Sequence, residues 1–324
     1  MGSRQYDVIG IGNAIVDVIA KASDSFVADQ GLAKGSMALI DQDRADELYG
    51  LMGPGVEVSG GSVANSVAGV ASFGGTAAFV GKVADDALGR VFAHDIRASG
   101  VAFDSDPAQG GPQTARSLLL VTPDAQRTMN TCLGIAGLLE PADIDVDLIK
   151  QGQILFCEGY IWDVESAKQA VRLAMDVATD AGSTVALTIS DPFCVERHHQ
   201  EFLDLIEGPV QLLFANEAEL AALYGCKFDD AIELVRDRVE LGCLTRGERG
   251  SVLVSADQTI EIPAFPTEVV DTTGAGDQYA AGVLYAVSKG LGLHEAGRLG
   301  ARAASEVISH FGSRPSVPLH TFIE

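Results

Sequence analysis

The chain lacks any stretch approaching the roughly 18 uninterrupted apolar residues that a membrane-spanning helix requires. Its richest candidate, residues 63–83, is broken repeatedly by Gly, Ser and Asn. No apolar signal core follows Met1-Gly2-Ser3-Arg4, and Tyr6 spoils the myristoylation pattern. The five cysteines (Cys132, Cys157, Cys194, Cys226 and Cys243) are odd in number, scattered, and form no CxxC pair. A disulfide framework and a zinc knuckle are therefore not indicated, and these thiols read as core fillers in a reduced, cytoplasmic protein. Basic side chains are scarce: 22 Lys and Arg face 45 Asp and Glu, for a net charge of −23. Such a surface repels phosphate backbones and anionic membranes, so neither nucleic acid nor membrane is an expected partner. A small phosphorylated ligand stays compatible, because a metal ion and a few local donors outweigh a distant field. Internal repeats, low-complexity tracts and the GxxxxGK[ST] phosphate loop are also missing.

What is present is an ordinary globular composition, 47% hydrophobic and 21% charged over 324 residues. That length suits one large α/β domain, alone or with a small appendage. Short apolar runs at 6–12, 77–83, 154–157, 184–189, 212–215, 241–245 and 251–254 read as strands. Several are nearly continuous, as in strands buried on both faces. Amphipathic stretches at 62–73, 87–99, 166–181, 198–206, 217–224 and 229–240 read as helices between them. This alternation predicts an α/β fold with a mostly parallel sheet covered on both sides. Two segments break the rhythm, 16–41 and 113–132, each looking like a strand pair closer to a hairpin than to a βαβ unit. They predict a small discontinuous β lid, leaving 1–15, 42–112 and 133–324 to the large domain.

The strongest chemical signal is Val269-Val270-Asp271-Thr272-Thr273-Gly274-Ala275-Gly276-Asp277, running into a helix. A strand end, a glycine turn and a helix start together aim backbone N–H groups and a helix dipole at one spot. Asp277 beside such an anion cradle suits a general base for a hydroxyl attacking phosphorus. Gly-Ala-Gly-Asp alone reads equally well as a capped glycine turn. A second glycine step, Ser59-Gly60-Gly61-Ser62, precedes a helix that carries Asn65 one turn further on, although Ser62 also reads as a plain N-cap. In Gly10-Ile11-Gly12-Asn13-Ala14-Ile15-Val16-Asp17 the third glycine of a dinucleotide loop is missing and a strand-like segment follows. Asp17 offers two acceptor oxygens that fit a vicinal diol, or it is a solvated loop residue.

These motifs, in this order, closely resemble the signatures of the ribokinase-like (PfkB) family of kinases, and the likeness extends from Gly10 to about Arg314. The resemblance implies a Rossmann-like three-layer core with a small β lid. It implies ATP as phosphoryl donor and Mg²⁺, and leaves a requirement for a monovalent cation such as K⁺ open. By residue, it implies catalysis by Asp277 with Gly274, Ala275 and Gly276, and substrate binding by Asn13, Asp17, Gly60, Gly61, Ser62 and Asn65. Asn216 and Glu219 match an NxxE motif that positions magnesium through water, unless they simply start a helix. Thr245, Arg246 and Gly247 resemble the nucleotide loop, and Arg127 a lid arginine that reaches phosphate; either arginine alone reads as a surface charge.

Details around Gly12-Asn13, Gly60-Gly61-Ser62, 129–134 and 190–193 look like the adenosine-kinase branch, where ribokinases typically carry lysine after the two glycines. The implied reaction is ATP-dependent phosphorylation of the 5′-hydroxyl of a nucleoside, adenosine above all, by a monomer or homodimer. A sugar kinase for ribose, fructose or a keto-deoxy sugar acid stays open, as does a noncatalytic nucleotide or nucleoside sensor. Trp162, Phe193, Met37 and Leu133 are candidates for the wall against a base, although each residue of this kind is more often core than base platform. Glu158 either reaches substrate or braces a loop, and Asp191 follows a strand with no assigned role.

Overall fold

The computed structural model describes residues 4–124 and 126–323. In chain order the strands of its first half are β1 (Tyr6–Ile11), β2 (Ile15–Lys21), β3 (Met37–Leu39), β4 (Gly55–Gly60), β5 (Ala77–Val80), β6 (Val101–Ala102), β7 (Ala115–Val121) and β8 (Arg127–Cys132). The second half adds β9 (Gly152–Glu158), β10 (Thr184–Thr188), β11 (Leu212–Asn216), β12 (Leu241–Thr245), β13 (Ser251–Val254) and β14 (Thr259–Ile262). The larger sheet runs β14-β13-β12-β11-β10-β9-β1-β5-β6. It is parallel from β6 to β12 and closes with antiparallel β13 and β14.

Strand side chains alternate between faces, and here each face has its own core. Ile9, Ile11, Leu155, Cys157, Leu213 and Ala215 pack into one layer. Their neighbours Val8, Ile154, Phe156, Leu212 and Phe214 pack into the other. Over the first layer lies the helix Glu165–Asp180, whose buried Ala167, Ala170, Val171, Ala174, Met175 and Ala178 recur at helical spacing. Over the second lie the helices Ser62–Ser72, Ala275–Ser288 and Leu293–Val307. The α/β class and the three layers expected from the rhythm are thus observed. No helix among the described residues is long and apolar enough to cross a membrane.

The smaller sheet, β3-β8-β7-β2-β4, is separate. It departs from the sequence expectation in two ways. β7 and β8 form an antiparallel hairpin, but β2 and β3 do not pair; the helix Asp24–Asp29 intervenes and β3 runs parallel to β8 instead. The sheet also takes in β4, antiparallel to β2, and the helix Gln42–Leu51 packs against it through Leu48, beside Val18 and Leu118. Both lie in the segment 42–112 that the sequence reading gave to the large domain. β4 escaped notice because it is an edge strand with Val56 64% exposed, so it carries no buried apolar run.

β1 lies between β5 and β9, and the chain visits β5 and β6 on one side before returning to β9 on the other. That reversal is a topological switch point, where open α/β sheets leave a crevice at the strand carboxyl ends. The small sheet sits over this crevice.

Candidate active site

One cavity of about 770 Å³ occupies the crevice. Its floor is the junction of the glycine turn with the helix Ala275–Ser288. Gly274 caps that helix at φ 76°, and a Cβ there would run into the Ser313 backbone, so both conformation and space demand glycine. The first helical turn leaves N–H groups without intrahelical acceptors, and Gly274, Gly276 and Asp277 all face the cavity.

Asp277 is met by the helix Ser62–Ser72, N-capped by Gly61 and not by Ser62. Ser62 Oγ donates to Asp277 Oδ1 at 2.7 Å, and Asn65 Nδ2 donates to Oδ2 at 2.9 Å. Burial pushes the Asp277 carboxyl up to about 6, against the lowering effect of these two donors. Glu158, at the end of β9, braces the loops on both sides: Oε1 accepts from Asn13 N and Nδ2, and Oε2 from Val63 N, all at 2.9 Å. Its carboxyl is also raised to about 7, chiefly by burial.

The roof is one face of the small sheet. Its register sets Asp17, Ser117, Thr131 and Leu39 in one cross-strand row, and Ile19, Leu119, Met129 and Met37 in the next. Asp17, Ser117, Thr131, Leu39, Met129 and Met37 all line the cavity. Asp17 is raised to about 7 by burial, partly offset by Arg314. Gly60 lies beneath that carboxylate, where a Cβ would collide with it. Arg127 of β8 does not point to bulk solvent; its guanidinium pairs with the buried Asp271 carboxylate and the Thr273 hydroxyl, tying the small sheet to the loop that leads into Asp277. Asp271 also accepts from the backbone N–H groups of Thr273 and Gly312.

At the far end Asn216 and Glu219 form a reciprocal helix cap. Asn216 N donates to Glu219 Oε2 at 2.9 Å, and the Asn216 Oδ1 receives Glu219 N at 2.9 Å. The plain helix-start reading of this pair is therefore realised, yet both residues line the cavity. Among the described residues no group of three or more His, Cys, Asp or Glu is arranged to hold a metal ion. The Glu219 oxygens are engaged by Asn216, so the pair fits a cation held through water and not a direct ligand cage.

Of the residues singled out in the sequence, Asn13, Asp17, Gly61, Ser62, Asn65, Arg127, Asn216, Glu219, Thr245, Gly274, Gly276 and Asp277 meet in this cavity. Gly60 and Ala275 lie just behind the lining. Arg246 turns away to sit 4.5 Å over the Phe228 ring, and Gly247 begins a 3-10 turn behind it. Two wall candidates fail: Trp162 is fully buried in the core and Phe193 is 64% exposed outside the cavity. Met37 and Leu133 do line it. Asp191 caps the helix Pro192–Arg197.

Four contributors escaped the sequence reading. Ser117 and Thr131 share a 2.9 Å hydrogen bond on the roof, and strand alternation from Asp17 and Arg127 was the available signal. Asp271 was quoted within the glycine motif without a role. Arg314 approaches Asn65 Oδ1 at 3.4 Å from a loop 249 residues away, and no local pattern announces it.

The profile of the pfkB family carbohydrate kinases matches residues 33–319. An adenosine kinase from Sinorhizobium meliloti is 50% identical, with a TM-score of 0.93 and 98% of each chain covered. A probable sugar kinase from Rhizobium etli is 42% identical, with a TM-score of 0.94 and the same coverage. Fructokinase-1 of Oryza sativa subsp. japonica is 29% identical over 71% of this chain and 73% of its own. The chain belongs to the pfkB family of carbohydrate kinases and is an ATP-dependent kinase acting on an alcohol group.

Proposed function

We propose that the acceptor is a nucleoside, adenosine foremost, phosphorylated on its 5′-hydroxyl. The observation that carries this reading is the mixed character of the roof. Asp17 offers a diol-binding carboxylate in a polar row with Ser117 and Thr131, and Met37, Leu39, Met129 and Leu133 add apolar surface to the same cavity. A ribose needs the first and a purine the second, whereas a free hexose or pentose has no aromatic base to set against the apolar part. The similarity to the S. meliloti adenosine kinase supports the same choice.

In this reading Asp17 holds the ribose 2′- and 3′-hydroxyls, with Asn13, Gly61 and Asn65 around the sugar. Asp277 accepts the proton of the 5′-hydroxyl as that oxygen attacks the γ-phosphorus. The new O–P bond forms while the bridging P–O bond breaks, and ADP leaves with the electron pair. The first-turn N–H groups near Gly274, Ala275 and Gly276 stabilise the charge on the equatorial oxygens. Thr245 and Asn216 line the nucleotide end, and Arg127 is placed to exchange Asp271 for phosphate when the small sheet closes as a lid. Magnesium, when bound with the phosphates, supplies charge neutralisation, and Asn216 and Glu219 are placed to hold its water shell.

The plant fructokinase similarity favours one second reading, a sugar acceptor. An acceptor panel decides between them: adenosine, guanosine, inosine, ribose and fructose, each with ATP and Mg²⁺, scored by kcat/KM. A higher kcat/KM for ribose or fructose than for any nucleoside would overturn the proposal.

A further inference from the structure

Ser62 sits in the first turn of its helix, and Asn65, three residues on, lies on the same face. Each spends its donor on a different oxygen of Asp277. A serine hydroxyl has one proton; once it is given to Asp277 Oδ1, none is left to donate to an acceptor molecule. A carboxylate held by one donor on each oxygen has its plane set, and keeps its remaining lone pairs for a proton arriving from the cavity. We infer that Ser62 is a positioning residue for Asp277, orienting the carboxylate and keeping it ionised, and not a hydrogen-bond donor to the substrate. This rests on the reading of Asp277 as base and revises the substrate-binding role that the sequence suggests for Ser62.

Burial is what disfavours the charged form of Asp277, and Ser62 and Asn65 act against it. The Asp17 carboxylate faces Asp277 from β2, Glu158 from β9 and the Tyr160 phenol from the turn Gly159–Asp163; all three lie close enough for Asp277 to raise their pKa values. The nearby cations face Asp17: Arg314 from the C-terminal loop and Arg127 from β8. Ser62 and Asn65 are the groups that lower the carboxyl of Asp277 itself. Ser62 acts from outside the lid, so its contribution does not require closure.

The test is the pH profile of kcat/KM for the acceptor in wild type, Ser62→Ala and Ser62→Thr. Alanine suits a first helical turn, so the fold is retained. Loss of one hydrogen bond to the charged form should move the acidic limb of Ser62→Ala upward by about one pH unit, which is about tenfold in kcat/KM on that limb. On the alkaline plateau, calorimetric acceptor Kd should stay within about twofold, against the about fivefold that loss of a direct hydrogen bond to a neutral acceptor would cost. Ser62→Thr, which keeps the hydroxyl, should restore the limb. An unmoved limb, with or without a weaker acceptor Kd, overturns the inference. Failure of the base reading itself is seen separately, as near-normal turnover by Asp277→Asn, whatever Ser62→Ala does.

Discussion

Replacing Asp277 with Asn should separate activity from stability in opposite directions. Asparagine keeps the size of the side chain and an oxygen for one of the two donors, but removes the basic oxygen. Positioned proton transfer contributes about 10²–10⁴-fold, so kcat should fall by that order. Nucleotide affinity should hold or rise, since a negative charge near the γ-phosphate is gone. Stability follows from linkage. The folded pKa of about 6 exceeds the ordinary 3.8, so the favourable contribution of the protonated form is complete below 3.8 and is lost as pH rises through 6. At pH 8 the ionised wild type therefore carries a penalty of at most about 3 kcal/mol, from roughly two pKa units at 1.36 kcal/mol each. By pH 5 about half of that penalty is already gone. Asp277→Asn should melt higher than wild type at pH 8, with a gap that narrows towards pH 5. The assays are kcat at saturating acceptor, calorimetric ATP binding, and melting curves at both pH values. A variant that keeps more than about a tenth of wild-type kcat, with chemistry rate-limiting, refutes the base assignment. A variant that melts lower at pH 8 refutes the electrostatic reasoning.

Asp17→Ala should weaken acceptor binding by roughly 2–4 kcal/mol, the loss of two overlapping charge-assisted bonds, with calorimetric ATP affinity unchanged. Equal loss of both ligands would indicate misfolding instead. Arg127→Ala should lower kcat and also cost about 3 kcal/mol of stability, because it leaves the buried Asp271 carboxylate with two backbone N–H donors but no cation; hydrogen exchange should quicken first in β8 and in 271–277, and unchanged protection there would count against the coupling. Chelation of divalent cations should abolish turnover and added Mg²⁺ restore it, while the melting temperature of the unliganded protein stays put, since no direct protein cage is proposed.

Much of the fold was legible because burial on both faces of a parallel sheet writes unbroken apolar runs into the chain, as at 154–157 and 212–215. The glycine turn before Asp277 was legible for a related reason: Gly274 must adopt a left-handed φ at a helix start, and that demand is local. The edge strand β4 was not, since an exposed Val56 and a Glu beside it look like a loop. The supposed pairing of β2 with β3 failed because which strand pairs with which is decided by partners far away in sequence, here β8 for β3 and both β4 and β7 for β2. The aromatic wall failed likewise. Trp162 and Phe193 have the right chemistry, but packing took one into the core and left the other in solvent.

Sequence by itself determined the fold class and the two glycine turns and singled out the acidic side chains proposed to flank the reaction, because each depends on a period or a turn only a few residues long. Tertiary structure alone decided what those side chains do to one another. It brought Ser62 and Asn65 onto the two oxygens of a carboxylate more than 200 residues away. It set Arg127 on Asp271, and it turned a strand-end glutamate into the brace of two loops. Hydrogen-bond partners, burial and hence pKa are properties of distances in space, and a linear pattern carries no record of them until the sheet has closed.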